Sequence, residues 1–155
     1  MGIRKAKLKD YKKINELGCQ LNDLHVEQRP DIFFRCSKFI KKHIFNKTVF
    51  DNDKICLVYE KDNEIIGFCI AQINITGENK TKTLFIDYIF VLQSYRRNKI
   101  GTLLINELQE IAKQHKCDKI QLSVFCFNQN AIEFYKKIGM SEQRIVMEQF
   151  IKDLK

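Results

Sequence analysis

Between Thr83 and Ala112 the chain changes periodicity once, and that change restricts the fold more than anything else in the sequence. "TLFIDYIFV" (83–91) is a run of apolar, aromatic and β-branched residues that reads as a strand. From about Lys99 the apolar positions Leu104, Leu108, Ile111 and Ala112 recur at helical spacing. A strand that feeds an amphipathic helix belongs to a layered α/β architecture, with the helix packed on a sheet face. The junction carries Arg96, Arg97 and Lys99 around Gly101. A helix begins with unpaired N–H groups and the positive end of its dipole, so an anion such as a phosphate is accommodated there. For this stretch taken alone, a solvated basic turn is the competing reading.

The remaining elements are read in the same way. Residues 2–7 form a short strand, and Tyr11, Ile14, Leu17, Leu21 and Leu24 make a helix face. Pro30 and Asp31 interrupt, and "IFFRCSKFIKKHIF" predicts a second, shorter helix with Phe39, Ile40 and Ile44 on its apolar side. "ICLVYE" and "IIGFCIAQI" flank the polar turn Lys61–Glu64 as an antiparallel hairpin. "KIQLSVFCF" is a strand, Asn128 caps a helix lined by Ala131, Phe134, Tyr135 and Ile138, and Gly139 stops it. "RIVMEQFI" reads as a last strand. The order β-α-α-β-β-β-α-β-α-β implies a mixed, mostly antiparallel central sheet with helices on both faces.

Composition narrows the class. At 155 residues, 45% hydrophobic with 12 Phe, the chain is expected to be one domain (1–155) with a sizeable core. No apolar run reaches bilayer length and "MGIRKAKLKD" lacks a signal-peptide core, so a cytoplasmic protein without a membrane partner is expected. Ala6 stands where a myristoylation motif requires Ser or Thr. Cysteines 19, 36, 56, 69, 117 and 126 form no CxxC pair, so reduced thiols and no metal site are expected. The Asn-x-Thr triplets at Asn46, Asn74 and Asn79 read as chance in an Asn- and Lys-rich chain. A net charge of +8 suits an anionic ligand, a nucleic acid or a membrane surface, but no nucleic-acid-binding motif accompanies it.

Two motifs together resemble the GNAT superfamily of acetyl-CoA-dependent N-acetyltransferases over nearly the whole chain. The family's phosphate motif, Gln/Arg-x-x-Gly-x-Gly/Ala after the fourth strand, is matched by Arg96-Arg97-Asn98-Lys99-Ile100-Gly101, behind the strand exit "FVLQSY". The family's Asn-x-x-Ala-x-x-Phe-Tyr-x-x-x-Gly pattern is matched by Asn128, Ala131, Phe134, Tyr135 and Gly139. Lys99 departs from the pattern, replacing its first glycine; a Cβ there costs about 1 kcal/mol if φ is positive.

The resemblance implies that amides from Arg97 through Asn98, Lys99, Ile100 and Gly101 to Thr102 cradle the coenzyme A pyrophosphate, with the basic side chains, Arg96 included, as electrostatic support. It implies that backbone groups of Ile89, Phe90 and Val91 pair with pantetheine in a gap beside a bulged fourth strand. An amide near Ile89 would then face the thioester oxygen. Tyr135 matches the tyrosine that protonates the departing thiolate, and Asn128 and Ala131 belong to the cofactor side. Phe85 stands at the position of the carboxylate base found in many relatives. Asp87, two residues on and on the same face, is the substitute, as base or as a group that only binds substrate. His25, Glu27 and Asp31 lie in the region that usually overhangs the acceptor. No metal is implied.

The leading expectation is acetyl transfer from acetyl-CoA to a primary amine, of a small molecule or a peptide, by direct attack in a ternary complex, in a monomer or homodimer. A non-catalytic acyl-CoA-binding module is the alternative that Phe85 and Lys99 favour. A basic nucleic-acid-binding protein is the third, distinguished by salt-sensitive affinity indifferent to coenzyme A.

Overall fold

The hairpin at residues 61–64 is the simplest local consequence of the sequence. β2 (Lys54–Lys61) and β3 (Glu64–Thr76) pair antiparallel with Lys61 opposite Glu64. The two turn residues, Asp62 and Asn63, take φ of 50° and 63°. Both are residue types that tolerate the left-handed region, as a two-residue hairpin requires. The computed structural model describes residues 1–153 and builds outward from this pair. β1 (Gly2–Lys5) adds antiparallel to β2, β4 (Thr81–Val91) antiparallel to β3, and β5 (Lys119–Leu122) parallel to β4. The sheet order is therefore β1-β2-β3-β4-β5. The mixed, mostly antiparallel sheet expected from the sequence is the one found.

Helices cover both faces. On one, α3 (Ile100–Gln114) buries Ile100, Leu104, Ile105, Leu108 and Ala112 against Leu57, Ile66, Ala71, Leu84 and Ile86, and α4 (Gln129–Lys137) packs Phe134 and Tyr135 on the same core. On the other, α1 (Tyr11–Gln28) and α2 (Lys42–Phe50) bury Ile14, Leu17 and Phe45 against Val58, Phe68, Ile70 and Phe90. Near the sheet's β1 edge Asp10 is 5% exposed. Burial alone would raise its carboxyl, but Arg4 Nη1 and the Lys7 amide each donate to Oδ2 at 2.7 Å and hold it below the usual carboxylate range.

Three expectations are corrected. The second helix begins at Lys42, ten residues after Ile32, and buries Phe45 and Thr48, whereas Ile44 faces outward. Residues 32–41 form a loop because side chains of α1 satisfy its backbone. Asn15 Nδ2 donates to Ser37 O and Asn15 Oδ1 accepts from the Phe39 amide at 2.8 Å; Asn22 donates to Phe34 O and Tyr11 to Ile40 O. β5 stops at Leu122, so residues 123–127 leave the sheet. "RIVMEQFI" forms no strand: residues 141–153 are exposed throughout and pair with no strand among the described residues. Also among the described residues, no helix is long and apolar enough to cross a membrane.

Candidate active site

β4 carries one residue more than its partner requires. Ile70 pairs with Tyr88 and Ala71 with Ile86, which leaves Asp87 as the inserted residue of a β-bulge. A bulge bends its strand, and here it falls where β4 parts from β5. Their parallel ladder ends at Ile86 opposite Leu122, whereas β4 stays paired with β3 as far as Val91. From Asp87 to Val91 the edge turned away from β3 therefore has no strand beside it among the described residues. The side chains of Ile89 and Val91 pack into the α3-side core and Phe90 into the opposite one. Only the backbone of these three residues faces the gap.

The chain then leaves β4 through a 3-10 turn, Gln93–Tyr95, and enters α3. Arg97 and Lys99 take φ of 65° and 60° while Asn98 between them does not. Such alternation turns successive amides toward one concave side. The first helical bond, Leu103 N to Lys99 O at 2.9 Å, leaves the amides of Ile100, Gly101 and Thr102 as orphan donors of the helix start. No acceptor among the described residues takes the amides of Arg97 to Thr102. The expected strain at Lys99 is real: its backbone is left-handed, with φ 60° and ψ 9°.

The basic side chains do not act as a group. Arg96 turns back onto β4, where its Nε donates to Val91 O at 3.0 Å and its guanidinium lies 5.6 Å from the Phe90 ring. Asn98 donates to Tyr95 O. Arg97 and Lys99 are exposed and form no ion pair among the described residues. Gly101 serves packing: a Cβ there would stand 3.3 Å from Phe134 Cζ, so the glycine lets α4 approach the start of α3.

Asn128 caps α4, its Oδ1 accepting from the Ala131 amide at 3.2 Å. Tyr135 packs into the same core as Ile89 and Val91, and burial pushes its phenol up to about 12. The cofactor candidates of the β4 exit and those of α4 are thus brought together on the α3 side.

Across the sheet, Gln72 Nε2 donates to Asp87 Oδ1 at 3.0 Å. Burial raises the Asp87 carboxyl above the usual value, with the Gln72 bond and Lys54 pulling the other way. Tyr88, whose phenol burial also raises, stacks edge-on to Phe39 at 4.6 Å. His25 donates from Nδ1 to Leu21 O and sits among Phe33, Phe125 and Phe127, at 5.0, 5.9 and 5.9 Å between ring centroids. Asp31 is taken up by Arg29, which donates to it at 2.8 and 2.6 Å, and Glu27 is exposed without a partner among the described residues. Of the three acceptor-side candidates only His25 joins the aromatic wall. Gln72, Tyr88, Phe39 and the Phe33–Phe125–Phe127 group were not identified from the sequence. Each is an ordinary core or strand residue there, and only the α1–α2 loop and the end of β5 place the aromatic ones side by side. No three His, Cys, Asp or Glu side chains among the described residues are grouped to hold a metal ion.

The family description "Acetyltransferase (GNAT) family" matches residues 14–140. Over 90 residues the chain is 37% identical to an uncharacterized N-acetyltransferase of Methanocaldococcus jannaschii, a stretch covering 57% of this chain and 40% of that one. It is 28% identical over 120 residues to a spermine/spermidine N(1)-acetyltransferase of Bacillus subtilis, covering 76% of each chain. A crystal structure of a mutant protein from Bacillus halodurans superposes with a TM-score of 0.94 at 28% identity, covering 98% of this chain and 100% of that one. The match across residues 14–140 spans the bulged β4, the amide-lined entry to α3 and the capped α4 alike, and the chain belongs to the GNAT family of acetyltransferases.

Proposed function

We propose that the protein, with residues 1–153 as one catalytic unit, transfers the acetyl group of acetyl-CoA to a primary amine by direct attack in a ternary complex. One observation carries this reading: the open edge of β4 from Asp87 to Val91 leads directly into the run of unpaired amides from Arg97 to Thr102. An extended chain of amides fits the first and a pyrophosphate the second, since both present backbone donors with no competing partner. Acetyl-CoA supplies the activated acyl group.

The residues then divide the work. Amides 97–102 hold the pyrophosphate, and backbone groups of Ile89 to Val91 align the pantetheine arm. An amide near Ile89 stabilises the negative charge that develops on the carbonyl oxygen during attack. Asp87 accepts the amine's proton, directly or through water, because an alkylammonium is not a nucleophile and the carboxyl is half-buried beside Gln72. Tyr135, neutral at physiological pH with its raised pKa, donates a proton to the leaving sulfur. The acceptor lies on the α1 side, under Tyr88, Phe39 and the His25 aromatic wall. A small alkylamine suits this wall and the single carboxylate, and the polyamine specificity in the name of the Bacillus subtilis relative supports that class.

The test is release of free thiol from acetyl-CoA with a panel of polyamines, other small primary amines and peptides, alongside thermal shift with coenzyme A. Stabilisation by coenzyme A and turnover with a small amine are expected. Absence of any shift at saturating coenzyme A overturns the reading.

A further inference from the structure

The loop after α1 lies back along that helix, and the side chains that hold it fix its register. Asn15 Nδ2 donates to Ser37 O at 3.2 Å and Asn15 Oδ1 accepts from the Phe39 amide at 2.8 Å, whereas two turns further on Asn22 donates to Phe34 O at 2.9 Å. Gly18 lies under the Phe39 ring. The loop therefore runs antiparallel to α1. Residues 15, 19 and 22 share one face of the helix, so Cys19 stands between the two asparagines and opposite the stretch 34–37 that they bracket. Cys36 is in that stretch.

The two thiols meet across this contact. Burial pushes the Cys19 thiol up, and Cys36, hydrogen-bonded to it, adds to the rise. Both side chains are only partly buried, so a small solute reaches them. The other cysteines are placed differently. Cys56 and Cys69 are buried in the opposite cores on the two faces of the sheet, Cys117 follows α3, and Cys126 is exposed beyond β5.

We propose that Cys19 and Cys36 form a reversible disulfide that ties the α1–α2 loop to α1, with a hydroperoxide as the oxidant. Cys36 reacts first: its thiolate sulfur attacks a peroxide oxygen and the O–O bond breaks. The products are a sulfenic acid and an alkoxide that takes a proton from solvent to become the alcohol, or water when the oxidant is hydrogen peroxide. The Cys19 sulfur then attacks the sulfenic sulfur; the S–S bond forms, the S–O bond breaks, and the hydroxyl leaves as water with the Cys19 proton. Two thiols give up two electrons and one peroxide accepts them. A dithiol reductant reverses the reaction by exchange. A thiol held protonated is a poor first nucleophile, which suits Cys19 to the resolving part. The loop carries Phe33 and Phe39, so the bond fixes two of the rings on the α1 side of the sheet. Neither sulfur takes part in acetyl transfer, and the disulfide is tested without turnover.

Peptide mapping by mass spectrometry, on the full chain treated with a few equivalents of hydrogen peroxide, reads the pairing. The Cys19–Cys36 bond is expected as the first disulfide formed, and dithiothreitol is expected to remove it. Tm should rise on oxidation, because the cross-link restricts the unfolded chain, and should return on reduction. Amides 34–39 should exchange hydrogen more slowly in the oxidised form. Cys19→Ser is expected to leave Cys36 as a sulfenic acid that dimedone labels, and to abolish the rise in Tm. A first disulfide between other cysteines, an oxidised chain in which Cys19 and Cys36 stay apart, an oxidised chain whose Tm does not rise, or a Cys19→Ser variant without label on Cys36 overturns the proposal.

Discussion

The ring of Phe39 lies directly on Gly18: a Cβ built on that glycine would stand 2.1 Å from Phe39 Cδ1 and 2.2 Å from Cγ. Gly18 is buried in the middle of α1, where alanine would ordinarily favour the helix by about 1 kcal/mol. Its absent side chain instead makes room for the α1–α2 loop, and through Phe39 for Tyr88 on the acceptor side. Gly18→Ala is expected to destabilise the protein by about 1–3 kcal/mol as the ring is displaced. Acceptor KM should rise while coenzyme A affinity is unchanged, because the amide cradle is at the start of α3. A denaturant titration with both binding measurements checks this, and a more stable variant would mean that the ring reseats freely.

Asp87 should leave a signature in the pH dependence. Its carboxyl titrates above the ordinary 3.8 because of burial, and it must be ionised to accept a proton. The acid limb of kcat/KM is therefore expected above that value. Asp87→Asn should remove this limb and lower the rate by about 100-fold or more. The stability effect has the opposite sign. A carboxyl raised in the folded state favours folding below its unfolded pKa and loses that contribution as pH rises through the folded one. Asp87→Asn should therefore be at least as stable as the native chain at neutral pH, by thermal unfolding at several pH values.

Tyr135→Phe separates chemistry from binding. Removing only the phenol oxygen is expected to lower kcat by roughly ten- to a thousandfold, with coenzyme A affinity nearly unchanged. It should also alter alkaline stability. The native phenol ionises near 12 when folded and near 10 when unfolded, so stability falls as pH rises from about 10 to about 12. The Phe variant should lose that part of the decline. Wild-type turnover with chemistry rate-limiting would make Tyr135 a packing residue.

Lys99→Gly addresses the left-handed residue in the amide loop. Relief of its φ of 60° should stabilise the chain by up to about 1 kcal/mol, less the entropy a glycine adds to the unfolded state. Coenzyme A affinity at high salt should be unchanged or improved. A weakening at low salt that disappears at high salt would show that the ammonium meets a phosphate. Titrations at two ionic strengths distinguish the outcomes.

Much of the candidate site's local geometry was legible in the sequence because its parts are local. Asn128 caps its own helix through the amide three residues on, and Lys99 to Thr102 are unpaired donors by virtue of starting a helix. Asp87 was reached by the two-residue period of a strand, and it does bond to Gln72, but the structure adds a reason that periodicity lacks. Asp87 is the inserted residue of the bulge. Arg96 shows the limit: in sequence it belongs with the basic loop, whereas in space it braces the end of β4.

The sequence by itself determined the hairpin at Asp62–Asn63, the faces of α3 and α4, that of α1 as far as Leu21 though not Leu24, which is exposed, and the order of the layers. Each follows from side-chain period and backbone preference within a few residues of chain. Tertiary structure alone decided where β4 parts from β5, why residues 32–41 are a loop and why "RIVMEQFI" is not a strand. Those outcomes depend on which distant group satisfies a backbone N–H or C=O: Asn15 and Asn22 supply partners to the loop, whereas β5 supplies none to residues 143–149. A strand is half of a pair, and its sequence does not contain the other half.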